Sequence, residues 1–101
     1  MVLIVKMHNS PNGMIIAVCD PDILGKKFEE GDLQLDLASR FYRGEEKTKE
    51  ETAKLFKACY QANLVGEKAV ALGIKEGIID ESHVIKVDGV PHAMAVIVSD
   101  S

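Results

Sequence analysis

Two hydrophobic patterns alternate along this chain. Residues 2–7 and 14–19 are nearly continuous apolar runs rich in β-branched side chains, the pattern of strands. Between them, His8-Asn9-Ser10-Pro11-Asn12-Gly13 is dense in turn formers and predicts a hairpin with a looped tip. Both runs are apolar on both faces in places, so at least one belongs in a covered, central position. Asp20-Pro21 follows: Asp at an N-cap with Pro at the first helical position starts a short helical turn, which Gly25 stops. Leu33-Gln34-Leu35-Asp36-Leu37 alternates strictly and predicts a half-buried middle strand introduced by Gly31-Asp32.

Residues 39–47 are polar and basic-aromatic and read as a connection. Thr48-Lys49-Glu50-Glu51 has the form of a capping box, in which the Thr oxygen meets the Glu51 amide and Glu51 reaches back. From there Leu55, Cys59, Ala62, Gly66 and Ala69 recur at helical spacing, with Phe56, Asn63 and Val70 beside them. The pattern runs to about Glu76, with Gly77 at C′. Gly66 either kinks this helix, divides it in two, or lets it pack closely on a sheet.

The last third predicts a second hairpin from residues 84–87 and 92–98 around the turn dipeptide Asp88-Gly89. A two-residue turn pairs Val87 with Val90 and Ile85 with His92, and would set His83 opposite Met94 on the same face. Pro91 donates no hydrogen bond, so its strand is an edge there or the turn is longer. The expected fold class is α+β: a two-layer sandwich of two β-hairpins and a middle strand covered by one long or two consecutive helices.

Composition bounds this picture without redirecting it. At 101 residues and 11.0 kDa the chain reads as a single domain, residues 1–101, with one core. A hydrophobic content of 47% with 28% charged residues is ordinary globular composition and argues against a disordered chain. The apolar opening of residues 1–5 is too short for a signal-peptide core or a membrane span. Cys19 and Cys59 form no C-x-x-C pair and read as reduced thiols in a cytoplasmic protein. The net charge of −4 argues against a dominant nucleic-acid surface, and nothing indicates DNA.

Chemistry has few places to sit. Asn63 and Glu67, four apart in the predicted helix, would share a face near Phe56 and Tyr60. Together they would bind a polar ligand, or Glu67 would act as a base; otherwise Asn63 meets a backbone carbonyl and Glu67 is solvated. His92, after Gly89-Val90-Pro91, is either an imidazole held in one tautomer for work near neutral pH or a sheet residue satisfied by a carbonyl. A ligand site would thus draw on Asn63, Gly66, Glu67, Gly89, Pro91 and His92. The spacing of His83, His92 and the cysteines specifies no metal, and no nucleophile motif, phosphate loop or dinucleotide fingerprint implies a cofactor. Arg40-Phe41-Tyr42-Arg43, followed by Lys47 and Lys49, is the one basic stretch interleaved with aromatics. Such a stretch suits single-stranded RNA through stacking and phosphate contact. Alternatively its rings are core side chains on a loop, since Glu45, Glu46, Glu50 and Glu51 dilute the field.

Several short motifs in order resemble a known family. Ala17-Val18-Cys19-Asp20, Leu24-Gly25-Lys26 with Phe28 and Glu30-Gly31, Phe41-Tyr42 with Gly44, Asn63-Leu64-Val65-Gly66-Glu67 and Gly89-Val90-Pro91-His92-Ala93 are similar to the uncharacterised archaeal domain of unknown function numbered four hundred and twenty-four. The resemblance spans nearly the whole chain. It implies an archaeal cytosolic protein with an α+β fold and no assigned activity, and loosely links the chain to translation. Met94 departs from the pattern, which calls for Gln there; if that Gln lines a site, the site is altered here and the case for His92 weakens.

Two kinds of function follow. One is a non-catalytic binding module for RNA or for ribosomal and translation proteins, carried by Arg40, Phe41, Tyr42 and Arg43. The other is a small enzyme or ligand-binding protein whose site joins Asn63 and Glu67 to His92, which requires the Gly66 region to pack over the Gly89 turn. A homodimer through an exposed strand edge is compatible with either.

Overall fold

A computed structural model describes residues 2–97 of the chain. The fold is α+β, with a mixed six-stranded sheet, a separate two-stranded sheet and two helices. In chain order the strands are β1 (Val2–Ser10), β2 (Gly13–Cys19), β3 (Lys27–Glu30), β4 (Leu33–Asp36), β5 (Glu45–Thr48), β6 (Gln61–Val65), β7 (Ile85–Val87) and β8 (Val90–Val96), and the helices are α1 (Lys49–Ala58) and α2 (Glu67–Lys75). The large sheet runs β5-β1-β2-β6-β8-β7, and β3 pairs only with β4.

The hairpins form where turn chemistry and hydrophobic runs predicted them. β1 and β2 pair antiparallel from Ile4↔Cys19 to Ser10↔Gly13, so the strands run through the expected looped tip and leave only Pro11-Asn12 to turn. Both strands are interior. At the other hairpin Val87↔Val90 and Ile85↔His92 pair as expected. His83, however, lies in a 3₁₀ turn, Glu81–His83, and Met94 pairs with Asn63 of β6; the two histidines are not cross-strand neighbours. Pro91 needs neither an edge nor a longer turn. Its carbonyl faces β6 and accepts from Gly66 N–H at 2.9 Å, just past Val65, the last residue of that strand. The missing N–H therefore falls where no ladder partner remains. Val98, the expected end of this strand, lies outside the described residues.

Three expectations are corrected. The helical stripe from Leu55 to Ala69 is broken: α1 ends at Ala58, and residues 61–65 form β6, parallel to β2 and antiparallel to β8. Residues 39–47 are not only a connection, because β5 adds an edge strand beside β1. Leu33-Gln34-Leu35-Asp36 is no middle strand of the main sheet; it folds back on β3 as a third hairpin.

Two cores lie on opposite faces of the large sheet. Leu3, Val5, Ile16, Val18, Ala62, Leu64, Ala93 and Ala95 pack with Phe56 of α1 and Ala69, Val70 and Leu72 of α2. Each Leu, Ile, Val or Phe side chain among them contributes roughly 1.5–3 kcal/mol by leaving water, and the alanines less. On the other face Ile4, Cys19, Val65 and Val87 are covered by Leu35 and Leu37, with Phe28, Ile23, Leu24 and Tyr42 packed around them. The small hairpin thus caps one end of the face that the helices leave free, and the rest of that face stays open.

Local signals explain the helix ends. Thr48 Oγ accepts from Glu51 N–H at 3.1 Å, and Glu51 accepts from Thr48 N–H at 3.0 Å, the predicted capping box. Gly77 closes α2 at φ +80°, its N–H on the Ile74 carbonyl while Ile78 N–H bonds to Gly73, a Schellman motif. Among the described residues no helix is long and apolar enough to cross a membrane.

Candidate functional site

Two concavities draw on the residues singled out from the sequence. The first, of ≈ 270 Å³, lies at the carboxyl ends of the parallel strands β2 and β6, before α2. Gly66, Glu67, Gly89 and Pro91 line it with Asp20, Asp22, Ile23 and Val90. Four of the six predicted ligand-binding residues therefore converge here. Asn63 and His92 do not: they sit on the open face of the sheet, beside Met94 and Val65 respectively.

The polar groups of this cleft are bound up in the fold. Asp20 is 5% exposed. It makes no side-chain cap to the turn at Pro21; instead its two carboxylate oxygens accept from Lys68 N–H at 3.0 Å and Ala69 N–H at 2.8 Å. It thus caps α2 from a distant strand end, satisfying two of the donors a helix start leaves unpaired. Gly66 makes room for it: the residue holds φ +108°, and a Cβ there would come within 2.5 Å of Asp20 Cγ. Glu67 is exposed at the first position of α2, so it shares no helix face with Asn63. His92 Nδ1–H donates to the Leu64 carbonyl at 3.1 Å; since a carbonyl only accepts, this fixes the tautomer. The three-residue site of Asn63, Glu67 and His92 is thereby divided between a cleft and a sheet face.

The second concavity, of ≈ 610 Å³, is lined by Lys6, His8, Arg40, Phe41 and Arg43. The 3₁₀ turn Arg40–Tyr42 is held against β1 by His8, whose Nε2–H donates to the Phe41 carbonyl at 3.0 Å. The His8 and Phe41 rings stack with centroids 4.5 Å apart and planes 9° from parallel. Tyr42 meets Phe41 edge-on at 5.1 Å but turns into the second core, and burial raises its phenol above the usual range. Tyr42 is thus a packing residue, while Arg40, Phe41 and Arg43 face the cleft. Gly44 secures the close approach of this turn, because a Cβ there would collide with the Val5 carbonyl.

The charges here are free. Among the described residues Lys6, Arg40 and Arg43 make no ion pair. Of the nearby carboxylates, Glu45 lies 3.9 Å from Lys47 and Glu51 is held by Thr48, which lowers its carboxyl below the usual range, while Glu46 is exposed on β5 beside Ile4. Sequence reasoning missed Lys6 and His8, which stand on β1 far from the basic stretch. Their alternation with Val5 and Met7 was a two-faced signal that only sheet pairing could place.

Neither cysteine adds a reactive centre. Burial first, then the charges of Asp20 and Asp22, push the Cys19 thiol up to about 11. Burial also raises Cys59, which follows α1 as its C-cap. Among the described residues no group of three or more His, Cys, Asp or Glu side chains is placed to hold a metal ion.

The family model described as Protein of unknown function (DUF424) matches residues 8–98. A crystal structure of an uncharacterized conserved protein from Methanopyrus kandleri is similar over 100% of this chain and 96% of its own, with a TM-score of 0.83 and 22% identity. No curated protein matches.

Proposed function

This chain belongs to the family Protein of unknown function (DUF424), and we propose that it is a non-catalytic module that binds single-stranded RNA through the cleft of Lys6, His8, Arg40, Phe41 and Arg43. One observation carries the reading: three cations that make no ion pair among the described residues and a stacked ring pair line one concavity, on a chain whose net charge is −4. Guanidinium and ammonium groups hold phosphates, and ring faces accept bases of any sequence. A duplex offers no free base to stack, so the cleft favours single strands.

The acidic cleft competes less well for the role of binding site. Its most buried carboxylate, Asp20, is already spent on α2, and its glycines and Pro91 serve close packing and turns.

Fluorescence polarisation with a short mixed-sequence oligoribonucleotide tests the proposal. Binding at low salt should weaken as salt rises and fall about tenfold or more in the Arg40→Ala/Arg43→Ala double variant. Equal affinity in the folded double variant, or no binding at low salt, refutes it. Recovery of ribosomal RNA by the wild-type protein, and not by the variant, would extend the reading to the translation apparatus.

A further inference from the structure

Half of one long strand has no neighbour on its outer side. β5 pairs with β1 only from Val2↔Thr48 to Val5↔Glu45, while β1 runs on to Ser10, paired on its inner side with β2. Two observations fix which backbone groups this leaves free. The residues that close a two-residue hairpin, here Ser10 and Gly13, exchange both hydrogen bonds. Alternation along the ladder then turns His8 and Lys6 toward β2 as well. At the other end the Val5 carbonyl points outward, since a Cβ on Gly44 would strike it. Both observations put the N–H and C=O of Met7 and Asn9 on the outer edge. Among the described residues no turn, loop or cap hydrogen bond reaches them.

The surroundings of this edge give it a chemical character. Met7 is 46% exposed and alternates onto the helix side of the sheet with Val5. Lys6 and His8 alternate onto the other side, where they line the basic cleft with Arg40 and Arg43. A smaller concavity of ≈ 190 Å³ follows the edge itself, lined by Val5, Lys6, Met7, Arg43, Gly44 and Glu45. It shares Lys6 and Arg43 with the cleft. A strand laid in line with β5 would therefore set alternate side chains against Met7 and against cations.

We infer that the free half of the β1 edge takes an extended acidic segment of a partner protein, added to the sheet as a further strand. Its backbone exchanges up to four hydrogen bonds with Met7 and Asn9, its apolar residues lie beside Met7, and its carboxylates face Lys6 and Arg43. Charge decides the occupant. A second copy pairing its own β1 here would bring another Lys6, Arg40 and Arg43 onto the same face, and like charges at such range repel. The inference uses backbone groups that the RNA reading does not, so each stands or falls separately. Because Lys6 and Arg43 serve both, the acidic strand and RNA compete.

The capped pentapeptide Glu-Val-Glu-Val-Glu is the probe, and its alternation suits either strand direction. At low salt it should bind the wild-type chain by polarisation and slow hydrogen exchange at the Met7 and Asn9 amides. Methylating both valine nitrogens keeps every charge and removes two donors, and should weaken binding about tenfold or more. Met7→Pro should weaken it similarly; that N–H serves no ladder bond within the chain, so an edge proline is tolerated, and circular dichroism checks the fold. RNA affinity of this variant should not move. Equal binding of the methylated peptide overturns the inference, because the carboxylates then only neutralise cations. So does a Lys-Val-Lys-Val-Lys peptide that binds as well, or a lack of binding and amide protection at low salt. A wild-type dimer in sedimentation that Met7→Pro dissociates overturns it in favour of a second copy. None of these outcomes touches the RNA reading, which the Arg40→Ala/Arg43→Ala variant tests with oligoribonucleotide alone.

Discussion

The two clefts of this protein are both lined by charged residues and differ in what those polar groups are doing. In the acidic cleft the buried carboxylate of Asp20 is bonded to two amides of α2, and Gly66 exists in a left-handed conformation to admit it. Removing either partner should damage the fold. In the basic cleft Lys6, Arg40 and Arg43 have no ion pair among the described residues; Lys6 stands on β1, and the two arginines belong to a turn that a stacked His8–Phe41 pair holds in place. Removing those cations should leave the fold alone. The difference teaches that a concavity lined by charged residues is a candidate site only after the bonds those residues make to their own chain have been counted.

The sharpest way to break the contrast is Gly66→Ala. A Cβ at φ +108° is strained, and it would meet Asp20 Cγ at 2.5 Å. We expect a loss of about 2–4 kcal/mol in denaturant unfolding. In an Asp20→Ala background, already weakened by two unpaired amides, the same change should cost less, because only the backbone strain remains. Equal cost in both backgrounds would show that the carboxylate does not set the need for glycine. RNA affinity of the folded fraction should not move.

The alkaline limit of stability gives a smaller effect in the same region. Cys19 lies beneath the acidic cleft with no exposed surface, and its thiol is raised from 9.0 to about 11. Because the folded value exceeds the unfolded one, the unfolded chain ionises first as pH rises. The stabilisation is complete below pH 9 and disappears as pH climbs through 11. It amounts to about 3 kcal/mol at most, and Cys19→Ala should flatten that part of the pH profile. A variant whose profile between these limits matches the wild type would assign the alkaline loss to another group.

Turn chemistry and capping were legible because they are local. Asp88-Gly89 fixed its hairpin register, and Thr48 with Glu51 fixed the start of α1. The passage from α1 to β6 was not. Leu55, Cys59, Ala62, Gly66 and Ala69 kept helical spacing, and no Gly or Pro stands between Lys49 and Gln61. Residues 61–65 are a strand because β2 and β8 flank them, a tertiary reason that overrides a short, ambiguous run. The candidate site divided for the same reason. Once Asn63 moved from helix to strand, its alternation with Leu64 put it on the opposite sheet face from the helices, away from Glu67. Arg40, Phe41 and Arg43 stayed together because a single turn holds them, while Lys6 and His8 could join them only through β1.

The mildest substitution sharpens the contrast from its other side. Arg43 is exposed and, among the described residues, unpaired, so Arg43→Ala should change unfolding free energy by no more than about 0.5 kcal/mol. Its effect belongs to binding. Each phosphate contact to a single strand releases condensed counterions and contributes roughly 0.7 to the slope of log affinity against log salt. The single variant should therefore lose about that much slope, with weaker binding at low salt and convergence toward the wild type as salt rises. Arg43 would then hold a phosphate without reading a base, so the ratio of affinities among homopolymers should stay fixed. A changed ratio with an unchanged slope would move Arg43 from the backbone to a base. An unchanged slope and ratio would take it out of the cleft's chemistry, leaving Arg40 and Lys6 to carry the charge.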